Sequence, residues 1–269
     1  LDSPQSRLIP LGHLDANVYA EDVFVGYRYF ETFAPEKVQF PFGFGLGYTD
    51  FSLTVVEAVQ DAGALRLVVD VRNEGSRDGK ETVQLYVAAP GVALAQPARS
   101  LVAFAKTGQL APSETERVTL QVTLDDLASF DDSGATGNRH AWVLEAGDYR
   151  FFVGSDVRSA AEAATVTVDE LRVVRRVAEV TAPVEGFDRM TVVRDADGGA
   201  RLGWEPVPTA TADRRERVLS AMPAEIPPTG DRGITLDAVA LGEATLDEFV
   251  AQLSDEELSQ IARGDITMH

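Results

Sequence analysis

The chain has 269 residues, a hydrophobic content of 45% and a formal net charge of −19 at pH 7. This length predicts about two domains, and the composition is that of an ordinary globular protein with a buried core. The strong negative charge argues against a nucleic-acid partner or an anionic membrane surface and favours a neutral or positive ligand. Because there is no cysteine, thiolate catalysis, thiolate metal sites and disulfides are excluded.

The N-terminal sequence does not have the pattern of a signal peptide. Leu1 is not an initiator methionine, and residues 1–12 lack the basic and apolar regions of a secretory leader. We therefore expect a cytoplasmic protein and a piece cut from a longer chain. No apolar run approaches the ~20 residues that a membrane-spanning helix needs.

Residues 1–49 are rich in aromatic side chains. Eleven aromatic residues lie between Tyr19 and Phe51, and the segment Phe40–Phe51 reads FPFGFGLGYTDF, with glycine at every second position from 43 to 47. Val23–Phe30 (VFVGYRYF) alternates enough to predict a buried strand. No periodic helix is expected in this region.

Short strand patterns separated by turn signals follow, up to about Val168. They carry apolar residues at every second position, which is the period of a half-buried strand. The segments are Leu65–Asn73, Glu81–Ala89, Glu116–Leu124, two strands within 140–155 joined at Ala146-Gly147-Asp148, and 163–170. About seven strands over this length predict an antiparallel β-sandwich of immunoglobulin or fibronectin type III kind. Adjacent Phe151 and Phe152 must then face opposite sides of their sheet.

The composition changes again towards the C-terminus. Six of the 13 prolines fall between residues 179 and 239, which predicts an extended linker with a small hairpin around Asp197-Gly198. Apolar spacing of three and four residues after Thr245 then predicts an amphipathic helix. Two capping boxes, Thr245 with Glu248 and Ser254 with Glu257, predict two short helices, with Gly264 as the stop.

Three segments, in this order, resemble family 3 glycoside hydrolases. Residues 19–51 resemble the junction at which that family's α/β-sandwich domain passes into its fibronectin type III-like domain. Residues 71–90, 100–120 and 145–155 are similar to successive strands of the latter domain, and residues 245–264 to the opening helices of the catalytic (β/α)8 barrel. The order resembles that of the inverted subgroup of bacterial β-glucosidases and related exo-glycosidases.

The resemblance implies four regions and a mainly β fold. Residues 1–49 would be the C-terminal end of the α/β-sandwich domain, and residues 50–175 the fibronectin type III-like domain. An extended Pro-rich linker over 176–240 would lead into the first barrel helices at 241–269. The expected fold class is therefore an immunoglobulin/fibronectin type III-like β-sandwich flanked by partial α/β segments. The implied activity is that of a retaining exo-acting glycoside hydrolase, most simply a β-glucosidase.

The catalytic residues that the resemblance implies are absent from this sequence. The family's nucleophile is typically the aspartate of a Ser-Asp-Trp motif, whereas the Ser-Asp pairs here, at Ser155 and Ser254, are followed by Val157 and Glu256. The family's acid/base glutamate lies upstream of the part retained here and is transferred to no residue. Glu21 is interpreted as a loop residue near the sandwich edge. We expect no catalytic residue in this chain, and substrate-binding residues are not identified.

Other candidate sites are weak. The histidines, His13, His140 and His269, are too far apart in sequence to predict a local metal site, and no cofactor is predicted. Trp142 alternates with Leu144 and is interpreted as sandwich core. Trp204, in the linker, is interpreted as an anchor onto another domain rather than as a sugar platform.

The glycine-rich segment Phe40–Phe51 admits two interpretations. Its rings could wedge the seam between two domains, where rigid side chains bury area at low entropic cost and glycines allow a close backbone approach. Alternatively, the rings line a sugar pocket. The expected partners are a carbohydrate substrate bound through other domains and the remaining segments of the same enzyme. A homo-oligomer is left open, and neither nucleic acid nor membrane is expected.

A second hypothesis for the function is a non-catalytic carbohydrate-binding or subunit-assembly module. Such a module would carry an exposed row of aromatic side chains on one sheet face. No exposed row is expected here, because the aromatic residues of the sandwich fall mostly in alternating core patterns.

Overall fold

A computed structural model of the chain describes residues 18–61, 63–195 and 199–264. The chain divides into two compact units, Leu1–Thr211 and Ala212–His269. The expected region boundaries at 49/50, 175/176 and 240/241 stay predictions. In the described part of the chain, no helix is both long and apolar enough to cross a membrane.

The first unit is mainly β, as the alternating pattern predicts. Helix α1 spans Tyr27–Phe33. The strands are β1 (Phe51–Asp61), β2 (Ala64–Asn73), β3 (Thr82–Ala88), β4 (Ser100–Lys106), β5 (Thr115–Thr123), β6 (Ser129–Asp131), β7 (Ala141–Leu144), β8 (Gly147–Gly154), β9 (Ala161–Val168), β10 (Arg172–Arg176), β11 (Asp188–Arg194) and β12 (Ala200–Pro206).

Two antiparallel sheets form the sandwich. One has the strand order β1-β2-β5 and the other β4-β3-β8-β9. Their inner faces contribute the alternating apolar residues of one core, in which Leu67, Val69 and Phe151 are fully buried. Burial of such side chains is worth roughly 1.5–3 kcal/mol each, so this core is the main source of stability.

The outer face of the four-stranded sheet is also covered. Tyr86 and Phe152 form a second buried cluster there, and Tyr27 of α1 packs against it. The Tyr27 hydroxyl accepts a hydrogen bond of 2.8 Å from the backbone N–H of Leu101. Glu31 of the same helix forms an ion pair with Arg158. Phe151 and Phe152 therefore do face opposite sides, and both are buried.

The strand predicted for Val23–Phe30 is wrong. The chain turns before Phe24, and helix α1 begins after Gly26, whose φ of 59° is costly for any residue with a side chain. Tyr29 of α1 packs with Phe24 and Met190 in a cluster beneath β11 and β12. The aromatic residues that favour a strand in isolation are thus distributed over two faces of a helix.

A third sheet and a hairpin complete this unit. The third sheet has the order β10-β7-β6, and the strands that flank Ala146-Gly147-Asp148 therefore belong to different sheets. The predicted hairpin is present, because β11 pairs with β12 from Asp188↔Pro206 to Arg194↔Ala200. Its turn residues, including Asp197-Gly198, lie outside the described residues.

The second unit is helical in its described part. Its helices are α2 (Arg214–Ser220), α3 (Leu236–Ala240), α4 (Leu246–Ala251) and α5 (Asp255–Arg263). Both predicted capping boxes are present, at Thr245 with Glu248 and at Ser254 with Glu257. Gly264 ends α5 with a φ of 70°. Helices α2 and α3 lie in the segment expected to be an extended linker, and each begins at a side-chain cap.

Asn73 joins the end of β2 to three segments, namely the one before β1, the β2–β3 loop and the β4–β5 loop. The residue is fully buried, and its side chain makes four hydrogen bonds. The Oδ1 atom accepts from the Thr49 hydroxyl and the Gly75 N–H, and the Nδ2 group donates to the carbonyls of Arg77 and Leu110. Both the oxygen and the nitrogen of the Asn73 amide therefore have hydrogen-bond partners.

Replacement of Asn73 by alanine is expected to lower the free energy of unfolding by about 3 kcal/mol, because buried donors and acceptors would lose their partner. Chemical denaturation followed by circular dichroism measures this loss. Asn138→Ala is the matched control, since Asn138 is only partly buried and is expected to cost less than ~1 kcal/mol. Equal midpoints for Asn73→Ala and the parent protein would contradict this role.

Candidate functional surfaces

The two Ser-Asp pairs have structural roles. The Asp156 carboxylate accepts hydrogen bonds from the N–H groups of Arg158 and Ser159 and closes a turn. Burial opposes its ionisation, but these bonds outweigh burial and lower the pKa of Asp156. Ser254 is the N-cap of α5. Asp255 follows it in the first turn of that helix.

Glu21 lies in a turn beside the β11–β12 hairpin, since the neighbouring Ala20 carbonyl accepts a hydrogen bond from the Met190 N–H. The Glu21 side chain is buried, and its Oε2 atom has no hydrogen-bond partner among the described residues. It does not line the Trp142 cleft, which is described below. The loop position is confirmed.

Of the three histidines, His140 alone lies among the described residues. His140 lies in the loop before β7, with a φ of 59° and its Nε2 atom 3.6 Å from Glu179 Oε2. His13 and His269 lie outside the described residues. In the described part of the chain, no group of three or more His, Asp or Glu side chains is placed to hold a metal ion.

The segment Phe40–Tyr48 carries a strip of exposed apolar side chains. It lies against the turn after β8, where the Phe42 carbonyl accepts from the Val157 N–H and Phe42 stacks on Tyr27 with ring centroids 4.4 Å apart. At Gly43, with φ 91°, an added Cβ would lie 2.6 Å from the Gln84 amide nitrogen. The close approach predicted for the glycines thus occurs at Gly43.

Most of the even-numbered side chains of this segment point away from the sandwich. Leu46 and Tyr48 are 91% and 93% exposed, and Phe40 and Phe44 are in ring contact with each other. We call the side chains of Phe40, Phe42, Phe44, Leu46 and Tyr48 the apolar strip. Contiguous exposed apolar surface of this kind marks an interaction site more often than isolated residues do.

One arginine joins three segments of the first unit. The Arg189 guanidinium on β11 lies within 3.0 Å of carboxylate oxygens of Asp22, Asp132 and Glu205. These residues come from the N-terminal turn, the β6–β7 loop and β12. Burial raises the pKa of Asp22 despite the adjacent guanidinium, and the pKa of Arg189 is raised because the carboxylates outweigh its burial. We call these four residues the Arg189 cluster.

Trp142 is not sandwich core, contrary to the prediction. It is only partly buried, whereas its neighbours Ala141 and Val143 are buried on the opposite face of β7. Phe130 is its direct partner on β6 and is 38% exposed, and the two ring centroids lie 5.4 Å apart. The sandwich unit therefore carries a partly exposed aromatic pair that the sequence pattern did not predict.

This pair forms one wall of a cleft of about 390 Å³. We call it the Trp142 cleft. Residues 177–183 and 207–208 line its other side. The polar side chains that line it are Asp132, Arg139, His140, Glu179 and Thr181. No signal in the sequence identifies the cleft, because Ala141–Leu144 is apolar at all four positions and does not show which face of the strand is accessible.

Trp204 lies on β12 opposite Met190 and is 43% exposed. The predicted anchoring of this ring onto another domain stays a prediction. It does not line the Trp142 cleft.

Comparison with known proteins gives consistent matches. Residues 81–157 match the family described as Fibronectin type III-like domain. The chain is 49% identical over 251 residues to a β-glucosidase of Ruminococcus albus, a match that covers 93% of this chain and 26% of the relative. The fold resembles a β-glucosidase of Paenibacillus barengoltzii with a TM-score of 0.85 and 45% identity, over 95% of this chain and 29% of that one.

A further structure matches a smaller part. β-Glucosidase 3B of Thermotoga neapolitana, solved in complex with α-D-glucose, gives a TM-score of 0.53 and 38% identity, over 59% of this chain and 21% of that one. The chain thus spans between a fifth and a third of the length of these relatives.

Replacement of Arg189 by methionine is expected to lower the free energy of unfolding by about 3 kcal/mol near neutral pH, because three carboxylates would face one another without a cation. Without Arg189 the mutual repulsion of the three carboxylates favours their protonated forms, so the folded variant binds more protons than the unfolded chain. The loss should therefore grow as the pH rises from about 4 to about 7.

Urea denaturation at several pH values measures this difference. Arg117→Met is the matched control, because the Arg117–Asp70 pair is solvent-exposed and its loss should change stability little at any pH. A pH-independent loss in Arg189→Met would contradict the electrostatic role of the Arg189 cluster.

Proposed function

We propose that this chain, which resembles a segment of family 3 glycoside hydrolases, is a structural part of a β-glucosidase. The observation that carries the proposal is the 49% identity to the Ruminococcus albus β-glucosidase over 93% of this chain. The whole enzyme would remove terminal sugars from oligosaccharides or glycosides with retention, through a covalent glycosyl intermediate. Because the chain spans 26% of that relative, most of the enzyme would lie in other segments.

The carboxylates of this chain support a non-catalytic role. A retaining glycosidase needs two carboxyl groups about 5–5.5 Å apart, one as nucleophile and one as acid/base. The Arg189 cluster brings three carboxylates together, and all three are ion-pair partners of one guanidinium. We therefore place the nucleophile and the acid/base in other segments of the enzyme.

The exposed apolar surface supports an association with those segments. The apolar strip projects from the first unit, and in the second unit Leu236, Leu246 and Ile261 are exposed. In the described part of the second unit, Ala251 is the single buried apolar residue. Apolar helix faces of this kind are stable when another element covers them. We propose that the remaining segments of the enzyme cover both surfaces.

The purified chain is expected not to hydrolyse aryl β-glucosides, β-xylosides or α-L-arabinosides, whereas a longer enzyme that contains it should hydrolyse at least one of them. Release of the chromogenic aglycone measures turnover, and an intact mass near 29.0 kDa shows that only this chain is present. Turnover by the chain alone would overturn its non-catalytic role. No turnover by the longer enzyme would overturn the proposed activity.

Replacement of Leu46 and Tyr48 together by serine is expected to leave the unfolding midpoint of this chain unchanged, because both side chains are exposed. The same change should lower the fluorescence of a bound apolar dye roughly twofold, and it should lower the thermal midpoint of the longer enzyme. Val92→Ser, at an exposed valine outside the apolar strip, is the control and should alter neither reading. An unaltered midpoint of the longer enzyme in the double variant would contradict the interface.

A further inference from the structure

We propose that the Trp142 cleft binds a neutral carbohydrate, with Phe130 and Trp142 as its platform. The proposal depends on the outward orientation of these rings, on the groups that line the cleft and on the rigidity of the loop between the rings. The choice of a β-linked gluco-oligosaccharide as the ligand rests on the proposed function.

The aromatic pair has the geometry of a platform. Phe130 and Trp142 are cross-strand neighbours on one sheet face, with ring planes inclined by 44°. Arg175 on β10 pairs with Trp142 and places its guanidinium 5.9 Å from the ring centroid. The C–H face of a pyranose packs well on such a ring, which is amphipathic and loses little entropy on binding. Both rings keep part of their surface accessible at the cleft, since Trp142 is only partly buried and Phe130 is 38% exposed.

The polar groups of the cleft favour a neutral ligand. Asp132 is ion-paired with Arg189, and Glu179 lies beside His140 and accepts hydrogen bonds from the N–H and hydroxyl of Thr211. Side chains of both signs line the cleft, Arg139 as well as Asp132 and Glu179, so the lining does not select for an ion of one sign. The Asp132 carboxylate, the Arg139 guanidinium and the Thr181 hydroxyl suit the hydroxyls of a sugar, which both donate and accept. The net charge of −19 further disfavours a nucleotide, whose base could also stack.

The loop that joins the two rings is held rigidly. The buried Asp131 carboxylate accepts hydrogen bonds from the N–H groups of Gly134, Ala135 and Thr136 and from the Thr136 hydroxyl. Burial opposes ionisation of Asp131, yet these bonds prevail and lower its pKa. His140, near the end of the loop, has a left-handed φ of 59°, a conformation that a non-glycine residue adopts only where its surroundings impose it.

The dimensions of the cleft also fit a small ligand. Its volume of about 390 Å³ falls within the roughly 300–1,000 Å³ of ligand sites in proteins. The wall opposite the rings is fixed by backbone hydrogen bonds from Val177 to His140 and from Ala210 to Pro183. A site held open in this way binds without paying for loop ordering.

The two tryptophans of the chain allow a direct test. Trp204→Phe leaves Trp142 as the single tryptophan, and Trp142→Phe leaves Trp204. Titration of each variant with cellotriose, followed by tryptophan fluorescence, is expected to give a saturable change only in Trp204→Phe, with a dissociation constant on the order of 1 mM. Circular dichroism establishes that both variants are folded.

Two further variants, made in the Trp204→Phe background, test the platform. Phe130→Ala should weaken cellotriose binding about tenfold. Phe104→Ala, which removes an exposed ring on β4 outside the cleft, should bind like its parent. If Phe130→Ala does not fold, Arg139→Met replaces it, since Arg139 is an exposed cleft residue and should also weaken binding.

Three results would overturn the proposal: no saturable change in Trp204→Phe, an equal change in Trp142→Phe, or equal effects of Phe104→Ala and Phe130→Ala. The cellotriose titration tests the cleft independently of the proposed function, because binding is measured on a chain expected not to hydrolyse the ligand. If the chain does not bind cellotriose but the longer enzyme hydrolyses a β-glucoside, only the cleft assignment is overturned. If the chain binds cellotriose but the longer enzyme hydrolyses no β-glucoside, only the β-glucosidase assignment is overturned.

Discussion

Burial of β3 and β8 on both of their faces is the constraint on which the first unit depends. Their inner faces form the core shared with the β1-β2-β5 sheet, and their outer faces carry Tyr86 and Phe152. That outer face would expose large rings unless another element covered it. Helix α1 provides the cover through Tyr27, so the N-terminal segment and the sandwich form one packed structure. The position of the apolar strip follows, because Phe42 stacks on the same Tyr27.

The Arg189 cluster joins three segments of the first unit through ion pairs. It joins the N-terminal turn to the β11–β12 hairpin and to the β6–β7 loop, and one of its members, Asp132, also lines the Trp142 cleft. Three carboxylates around a single cation depend on that cation far more than an exposed pair does. Asp132 therefore belongs both to the ion pairs that stabilise the unit and to the lining of the Trp142 cleft.

The sequence predicted elements where local pattern and final environment agree. Leu65–Asn73 alternates because one of its faces is core, and the capping boxes at Thr245 and Ser254 act within a single turn of chain. The prediction failed for α1, because its aromatic residues favour a strand intrinsically, whereas here Tyr27 packs in one cluster and Tyr29 in another on the two faces of a helix. The Trp142 cleft could not be predicted, since its walls come from three separate parts of the chain.

By itself, the sequence determined the mainly β class, the approximate strand positions, the two capped helices and the resemblance to a glycoside hydrolase family, because period, caps and motifs are local properties of a chain. It also determined that the Ser-Asp-Trp motif is absent. Only the tertiary structure decided which faces are buried, that Phe130 and Trp142 point outward together, and that Arg189 collects three carboxylates. Those features depend on contacts between residues distant in sequence, and no local pattern records them.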